Sequence, residues 1–235
     1  MSGVEISVII PALNEEKYIR YVLDGLKGQT FRDFETIVVD GGSTDGTRRI
    51  ARRSARVVVE RRKGIGVARN SGAKVARGKL LVFLDADTKP SPGLLRVYRD
   101  AFRDGKVVAA TGPILPLEKT SKRVNMGYRF VSVLLVKSSI LMGRPSVVGS
   151  NFAVRKRVFD RVGGFNEEYA TYEDWDLSLR LRKTGRISYV KDATVYTSVR
   201  RIDAWGMSGF FLYHSLNIIR YHLLKKPNED YAPIR

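Results

Sequence analysis

Two aspartates with a single residue between them, Asp85 and Asp87, follow the apolar run 80–84. On an extended strand end that spacing turns both carboxylates to one side. Hard oxygen donors so placed can hold a divalent cation, Mg2+ or Mn2+, with water and phosphate filling its other positions. The competing reading is structural, with Asp87 capping the helix after Pro90 and Asp85 bonding a loop. Asp40 opens DGGSTDG, which suits a binding edge and equally a turn with a helix cap. The first apolar run passes into Pro11-Ala12-Leu13-Asn14-Glu15-Glu16, so acidic residues follow the first, second and fourth runs. Ligands of open parallel sheets bind beyond those strand ends. The glycine-containing run 63–70, KGIGVARN, opens a helix whose N–H groups could approach a phosphate. Its spacing is neither G-x-G-x-x-G nor the Gly-Lys-Ser/Thr of a P-loop.

The elements that must position these residues are legible in the hydrophobic period. Strands are expected at 6–10, 35–39, 56–59, 80–84 and 107–110, alternating with helices at 16–27, 45–53, 66–76 and 92–103. Thr44 and Asp45 suit the start of the second helix, and Pro92 the first turn of the fourth. That alternation gives an α/β nucleotide-binding half over 1–111. Beyond it, 112–120 reads as a loop and 121–142 as a long apolar segment broken by Arg129 and Lys137. A strand at 149–154, helices at 156–162 and 173–183, one or two strands within 187–196 and a C-terminal helix complete the reading. No linker or repeat interrupts the chain, so 112–202 is expected to build onto the same sheet as an acceptor-binding half of one domain, 1–202, with helix and tail over 203–235.

The composition narrows the chemistry. The 235 residues contain 42 Lys and Arg against 24 Asp and Glu, a formal charge of +18, with no Cys and two His. Disulfides, thiolate zinc sites and a Cys nucleophile are excluded, and an imidazole-built metal centre has little to work with. The positive balance calls for anionic partners: nucleic acid, an anionic membrane or anionic substrates. No nucleic acid is expected, since the aromatics interleaved with basic residues that single-strand binders use are missing. The first residues carry no basic, apolar and small-residue signal peptide pattern, so a cytoplasmic location is expected.

Five segments in register carry a resemblance: VIIPALNEE (8–16), VVDGGSTDGT (38–47), GIGVARNSGAKVARGKLLVFLDADT (64–88), VVGSNFAVRKRVFDRVGGFNE (147–167) and EDWDLSLRLRKTGRISYV (173–190). Over roughly residues 4–200 the sequence resembles glycosyltransferase family 2. The resemblance implies the GT-A fold: one Rossmann-like domain with a mixed, mostly parallel sheet flanked by helices, here with an added C-terminal amphipathic helix. It also implies an inverting, metal-dependent transfer of sugar from a UDP- or GDP-sugar. By that resemblance Pro11, Ala12, Asn14, Glu15 and Asp40 hold base and ribose, and Arg69 lies near base and phosphates. Asp85-Ala86-Asp87 matches the DxD motif, Asp85 meeting ribose and Asp87 the Mn2+ or Mg2+ between the phosphates. Glu173-Asp174 matches the ED motif, with Asp174 the general base that takes the proton of an acceptor hydroxyl. Asn151 would line the donor sugar pocket, and Trp175 would stack on an acceptor or pack in the core.

The sequence departs from the family where many members carry a His after the last core strand. Val195-Tyr196-Thr197-Ser198 stands there instead, and Arg200 and Arg201 are the cations available to neutralise a diphosphate. The Gln-x-x-Arg-Trp motif of processive members is missing, so polymer synthesis is not expected. Neither 131–142 nor 205–224 offers the roughly 18 uninterrupted apolar residues of a bilayer span. Leu212, Leu216, Ile219 and Leu223 share one helical face, which either packs in the core or docks peripherally on an anionic membrane to reach a glycan or polyprenyl-linked acceptor. Two other functions fit less of the sequence. A polyprenyl-phosphate sugar synthase would tolerate loss of Asp174, because its phosphate acceptor needs no strong base. A noncatalytic nucleotide-sugar or nucleic-acid module would not hydrolyse a donor in the presence of Mn2+.

Overall fold

The computed structural model describes residues 3–118, 120–129, 136–141 and 147–206, with Gly209, Tyr213, Leu216 and Arg220 beyond them. Its main sheet is built on β1 (Ile6–Ala12), whose residues are buried save Pro11, as a central parallel strand between helical layers requires. On one side of it lie β2 (Phe34–Asp40) and β3 (Arg56–Val59), on the other β4 (Leu80–Leu84). With β6 (Val107–Thr111), β8 (Asn151–Arg155) and β9 (Arg186–Tyr189) the strand order is β3-β2-β1-β4-β8-β6-β9. Among these strands β8 alone runs antiparallel, to β4 and to β6. The chain is therefore α/β with a mixed, mostly parallel sheet.

Period-two alternation sends successive strand residues to opposite layers. Ile6, Val8 and Ile10 of β1 and Val82 and Leu84 of β4 pack with α1 (Ile19–Lys27) and α4 (Leu94–Ala101), through Val22, Leu23, Leu94 and Tyr98. Ile9, Leu81 and Phe83 face the other layer: α3 (Ile65–Val75), α7 (Lys156–Arg161) and α8 (Glu173–Arg182), through Ala68, Phe159, Leu177 and Leu181. The short α2 (Thr47–Ala51) follows β2, while α5 (Lys122–Arg129) and α6 (Val136–Leu141) come in the second half of the chain, before β8.

A second sheet was not foreseen. The segment read as a loop at 112–120 contains β7 (Ile114–Pro116), and β5 (Thr88–Pro90) starts directly after Asp87. The stretch 187–196 divides between two sheets, because β10 (Val195–Thr197) leaves the main sheet to lie between β5 and β7. Each of these strands is three residues long, too short for periodicity to register. Helix α1 begins three residues later than expected, since Tyr18 and Ile19 N–H both turn back to the Glu15 carbonyl at 3.0 and 2.8 Å. The apolar helix expected at 205–224, with its Leu212, Leu216, Ile219 and Leu223 face, falls largely outside the described residues, as does much of 131–142. Among the described residues no helix is long and apolar enough to cross a membrane.

Asn151, expected to line the donor sugar pocket, is the brace between the two sheets. Its side chain is fully buried, and Nδ2 donates to the carbonyls of Pro113 at 3.1 Å and Ala193 at 2.8 Å. Its Oδ1 accepts from the Tyr98 hydroxyl at 2.7 Å. The side chain thus binds the residue just before β7, the segment before β10 and helix α4, and both of its donors are taken. Each buried polar group left unsatisfied costs about 1–3 kcal/mol, so Asn151→Ala should lower the unfolding free energy in urea by at least about 2 kcal/mol. Unchanged stability with loss of nucleoside diphosphate binding would return Asn151 to the binding site.

Candidate active site

The edge formed by the ends of β1, β2 and β4 is organised around two arginines. Arg69, on the first turns of α3, is 2% exposed. Its Nη1 donates to Glu173 Oε1 at 2.6 Å and its Nη2 to Asp85 Oδ1 at 2.9 Å. Burial opposes the guanidinium charge, but Asp85, Glu173 and Asp174 overcome that and raise its pKa above the ordinary value. One buried cation thereby holds the start of α8 against the end of β4.

The surroundings of Arg69 explain its position. Its guanidinium lies 5.3 Å from the centre of the Phe165 ring, within the cation–π range. Phe165 packs edge-on against Phe83 and Phe152 at 5.3 and 6.0 Å. Asn70, the next residue of α3, brackets the Phe165 backbone, donating to its carbonyl and accepting from its N–H, both at 2.9 Å. That contact needs Gly164, which has φ +67° and where a Cβ would come within 2.6 Å of Asn70 Oδ1. Gly149 is needed on the opposite side, since a Cβ there would stand 2.7 Å from Arg69 Nη2.

Asp174 is held by main-chain groups. Its Oδ2 accepts from Gly149 N–H and its Oδ1 from Trp175 N–H, at 2.9 and 2.8 Å. Burial pushes its carboxyl above the ordinary range, while Arg69 and these N–H groups pull it back. Burial, and then the Asp174 charge, push Glu173 up to about 7 against the pull of Arg69. Tyr172, just before this pair, is left-handed at φ +63°, a conformation uncommon outside glycine that is often kept at functional sites. Trp175 is half-buried on the first turn of α8.

The second arginine is Arg200. It forms a two-pronged pair with Glu15, Nη1 to Oε2 at 2.9 Å and Nη2 to Oε1 at 2.6 Å, and its Nη2 lies 3.2 Å from Asp87 Oδ2. The Tyr18 ring lies beneath it, 4.5 Å from the guanidinium carbon. Burial, and then the nearby Asp85, raise the Asp87 carboxyl to about 7 against the pull of Arg200. Asp85, Ala86 and Asp87 form a turn, not the extended strand end expected: Thr88 N–H returns to the Asp85 carbonyl at 3.2 Å and Thr88 Oγ1 at 2.8 Å.

The other expected residues divide. Pro11 and Ala12 end β1 in register with Val39 and Asp40. Asn14, at φ +54°, laces this corner to the next loop, accepting from Thr44 N–H at 2.8 Å and donating its own N–H to Ser43 Oγ at 2.9 Å. Asp40 is fully buried and takes Arg48 Nη2 at 2.6 Å and the N–H groups of Gly42 and Ser43 at 3.2 Å, which is turn chemistry with no open face toward a base. Of the glycine run, Arg69 enters the cluster, whereas a Cβ on Gly66 would meet the Asn166 carbonyl at 3.2 Å. Arg201 turns to the Trp205 ring at 5.2 Å, and Asn151 lies in the brace described above. The sequence gives no role to Arg48, Tyr18, Gly149 or Phe165, whose partners come together only in the fold.

Among the described residues no group of three or more His, Cys, Asp or Glu side chains forms a ready metal site. The strand-end pair nevertheless suits a hard divalent cation: its donors are carboxylate oxygens, and Glu15 crowds further negative charge against Asp87.

The family model "Glycosyl transferase family 2" matches residues 7–163. A PGL/p-HBAD biosynthesis glycosyltransferase of Mycobacterium bovis is 30% identical over 190 residues, covering 77% of this chain and 70% of that protein. Chondroitin synthase of Escherichia coli is 27% identical over 213 residues, 84% of this chain but 30% of its own length. Among solved structures, S. aureus TarS has a TM-score of 0.66 at 23% identity, covering 96% of this chain and 41% of TarS. The mannosyltransferase PcManGT of Pyrobaculum calidifontis, in complex with GDP-Man and Mn2+, also has a TM-score of 0.66, at 22% identity over 92% of this chain and 65% of its own. These structural likenesses carry the GT-A fold, and the sequence matches carry the family: the chain belongs to glycosyltransferase family 2 and is a glycosyltransferase.

Proposed function

We propose that the enzyme transfers a sugar, with inversion, from a UDP- or GDP-sugar to a hydroxyl of a glycan or polyprenyl-linked acceptor, assisted by Mn2+ or Mg2+. The observation that carries this reading is the Arg69 bridge, which brings the start of α8 to the Asp85-Ala86-Asp87 turn. An acid that removes an acceptor proton and a turn that receives a diphosphate must lie side by side. Support for the donor class comes from the complexes of PcManGT with GDP-Man and Mn2+ and of TarS with UDP-GlcNAc.

In this reading Asp174 takes the acceptor proton. Its elevated pKa makes it a stronger base than an ordinary carboxylate, and main-chain N–H groups fix both its oxygens without neutralising it. Glu173 is a positioning residue that fixes α8 through Arg69. Asp85 and Asp87 would hold the divalent cation, which supplies positive charge to the leaving diphosphate. Glu15, Asn14 and the β1 corner form the wall for the nucleoside. The +18 balance favours attraction to the donor and to an anionic membrane on its cytoplasmic face.

Asp174→Asn keeps the size and loses the proton acceptor, so turnover should fall by about 10²–10⁴ with donor affinity nearly unchanged. Near-normal turnover would point to a phosphate acceptor. Because burial raises the Asp174 carboxyl, its base form fills only above the ordinary carboxylate range. The acid limb of the parent's rate profile should accordingly be displaced upward toward neutrality. Asp87→Ala should abolish the Mn2+-dependent part of the thermal stabilisation given by UDP or GDP, leaving the unliganded protein folded. Retention of that stabilisation would remove Asp87 from the cation site.

A further inference from the structure

Both carboxylates of the strand-end pair already carry a guanidinium. Asp85 is held by Arg69, which is locked by burial and by Glu173. Asp87 is held by Arg200, which comes from a different part of the chain and is 16% exposed at its side chain. The small second sheet makes that meeting unavoidable. β10 pairs antiparallel with β5 in the register Thr197↔Thr88, so the chain leaving β10 runs back past the turn that precedes β5. Ser198 N–H donates to the Asp87 carbonyl at 3.2 Å, and two residues on Arg200 reaches the Asp87 carboxylate. The Glu118 carboxylate fixes this passage, accepting from Ser198 Oγ at 2.7 Å and Val199 N–H at 3.0 Å.

We propose that Arg200 is the resident counter-ion of Asp87 in the cation-free enzyme, and that it passes to the nucleotide's diphosphate when cation and nucleotide bind together. This rests on the reading above that Asp87 belongs to the cation site. A guanidinium 3.2 Å from a carboxylate oxygen and a divalent cation on that carboxylate are like charges at close quarters. Binding of the cation alone therefore works against Arg200. A diphosphate removes the conflict, because it offers the displaced guanidinium a two-pronged anionic partner. The bidentate pair with Glu15 and the Tyr18 ring keep Arg200 tethered beside the turn while it changes partner. Arg200 thus makes cation and nucleotide binding mutually dependent, a coupling that must be reciprocal.

The test is Mn2+ binding to the full chain, followed by electron paramagnetic resonance of free Mn2+, with and without UDP or GDP. Parent, Arg200→Gln, Arg200→Lys and Asp87→Ala are compared. Arg200→Gln should bind Mn2+ alone about tenfold more tightly, and the gain in Mn2+ affinity on adding nucleotide should shrink by about the same factor. Arg200→Lys should retain most of the parent's coupling. If Arg200→Gln is poorly stable, its melting temperature should rise more with saturating Mn2+ than the parent's does, which a mere structural staple would not produce. Mn2+ affinity unchanged or weakened in Arg200→Gln, with binding lost in Asp87→Ala, overturns the exchange and leaves the cation site standing. Mn2+ binding that survives Asp87→Ala overturns both.

Discussion

A buried guanidinium must be matched by carboxylates wherever it is placed, and Arg69 imposes that demand on the rest of the molecule. At 2% exposure it is solvated by Glu173 and Asp85 in place of water. Those partners stand 104 and 16 residues away in sequence, so one ion triad closes the second half of the chain onto the first. Removing one member of such a group strands a buried charge, at about 3–5 kcal/mol. The stability of the closure and the relative position of the strand-end turn and α8 are one interaction. Gly149, Gly164, Asn70 and Phe165 are the space, the turn and the ring face that this triad requires.

The antiparallel β8 is what makes the closure possible. Lying between β4 and β6, it starts at the edge where β4 ends, so Gly149 and Asn151 enter at the level of Asp85. From that end Asn151 reaches Pro113 and Ala193 and anchors the smaller sheet. The smaller sheet in turn delivers Ser198 and Arg200 to Asp87. Two arginines thus come to one turn by two routes, the first through the interior of the main sheet and the second along the outer sheet.

The nucleotide half was legible because its strands are apolar runs and its helices carry a 3.6-residue period. Strand β3 agrees at both ends with the reading, and β4 likewise. The smaller sheet was illegible because β5, β7 and β10 have no period to read, and its existence follows from long-range pairing. Acidic strand ends were legible as types and not as geometry. Asp85 and Asp87 meet through a turn, Asp40 is absorbed by Arg48 and its own loop, and Asn151 is spent on bracing. For the aspartates the sequence showed an acidic residue after an apolar run, and for Asn151 an amide at the start of a strand, while the partners that decide their roles come from tertiary structure.

The direction of the pKa shifts separates the site from the structural ion pairs of the same chain. At the surface, Glu60 is drawn down to about 2 by hydrogen bonds from Arg62 and Ser71. A carboxyl below its unfolded value contributes stability above that unfolded pKa and loses it as the pH falls through the folded one. Asp87 and Glu173 lie on the other side, raised to about 7 by burial and by neighbouring carboxylates. For Asp87, held above its unfolded value, stability is present below the unfolded pKa and is lost as the pH rises through about 7; Glu173 is pushed up by burial and Asp174, but Arg69 at 2.6 Å opposes that push. Among the described residues, Glu15, Asp85, Asp87 and Glu173 pair with Arg69 and Arg200, and Asp174 stands beside Glu173, in a chain whose overall balance is +18. With so many cations elsewhere, the local acid excess is not a shortage of basic residues. It is an arrangement that folding alone disfavours and that bound positive charge relieves, which is the electrostatic signature of a site shaped for its ligands.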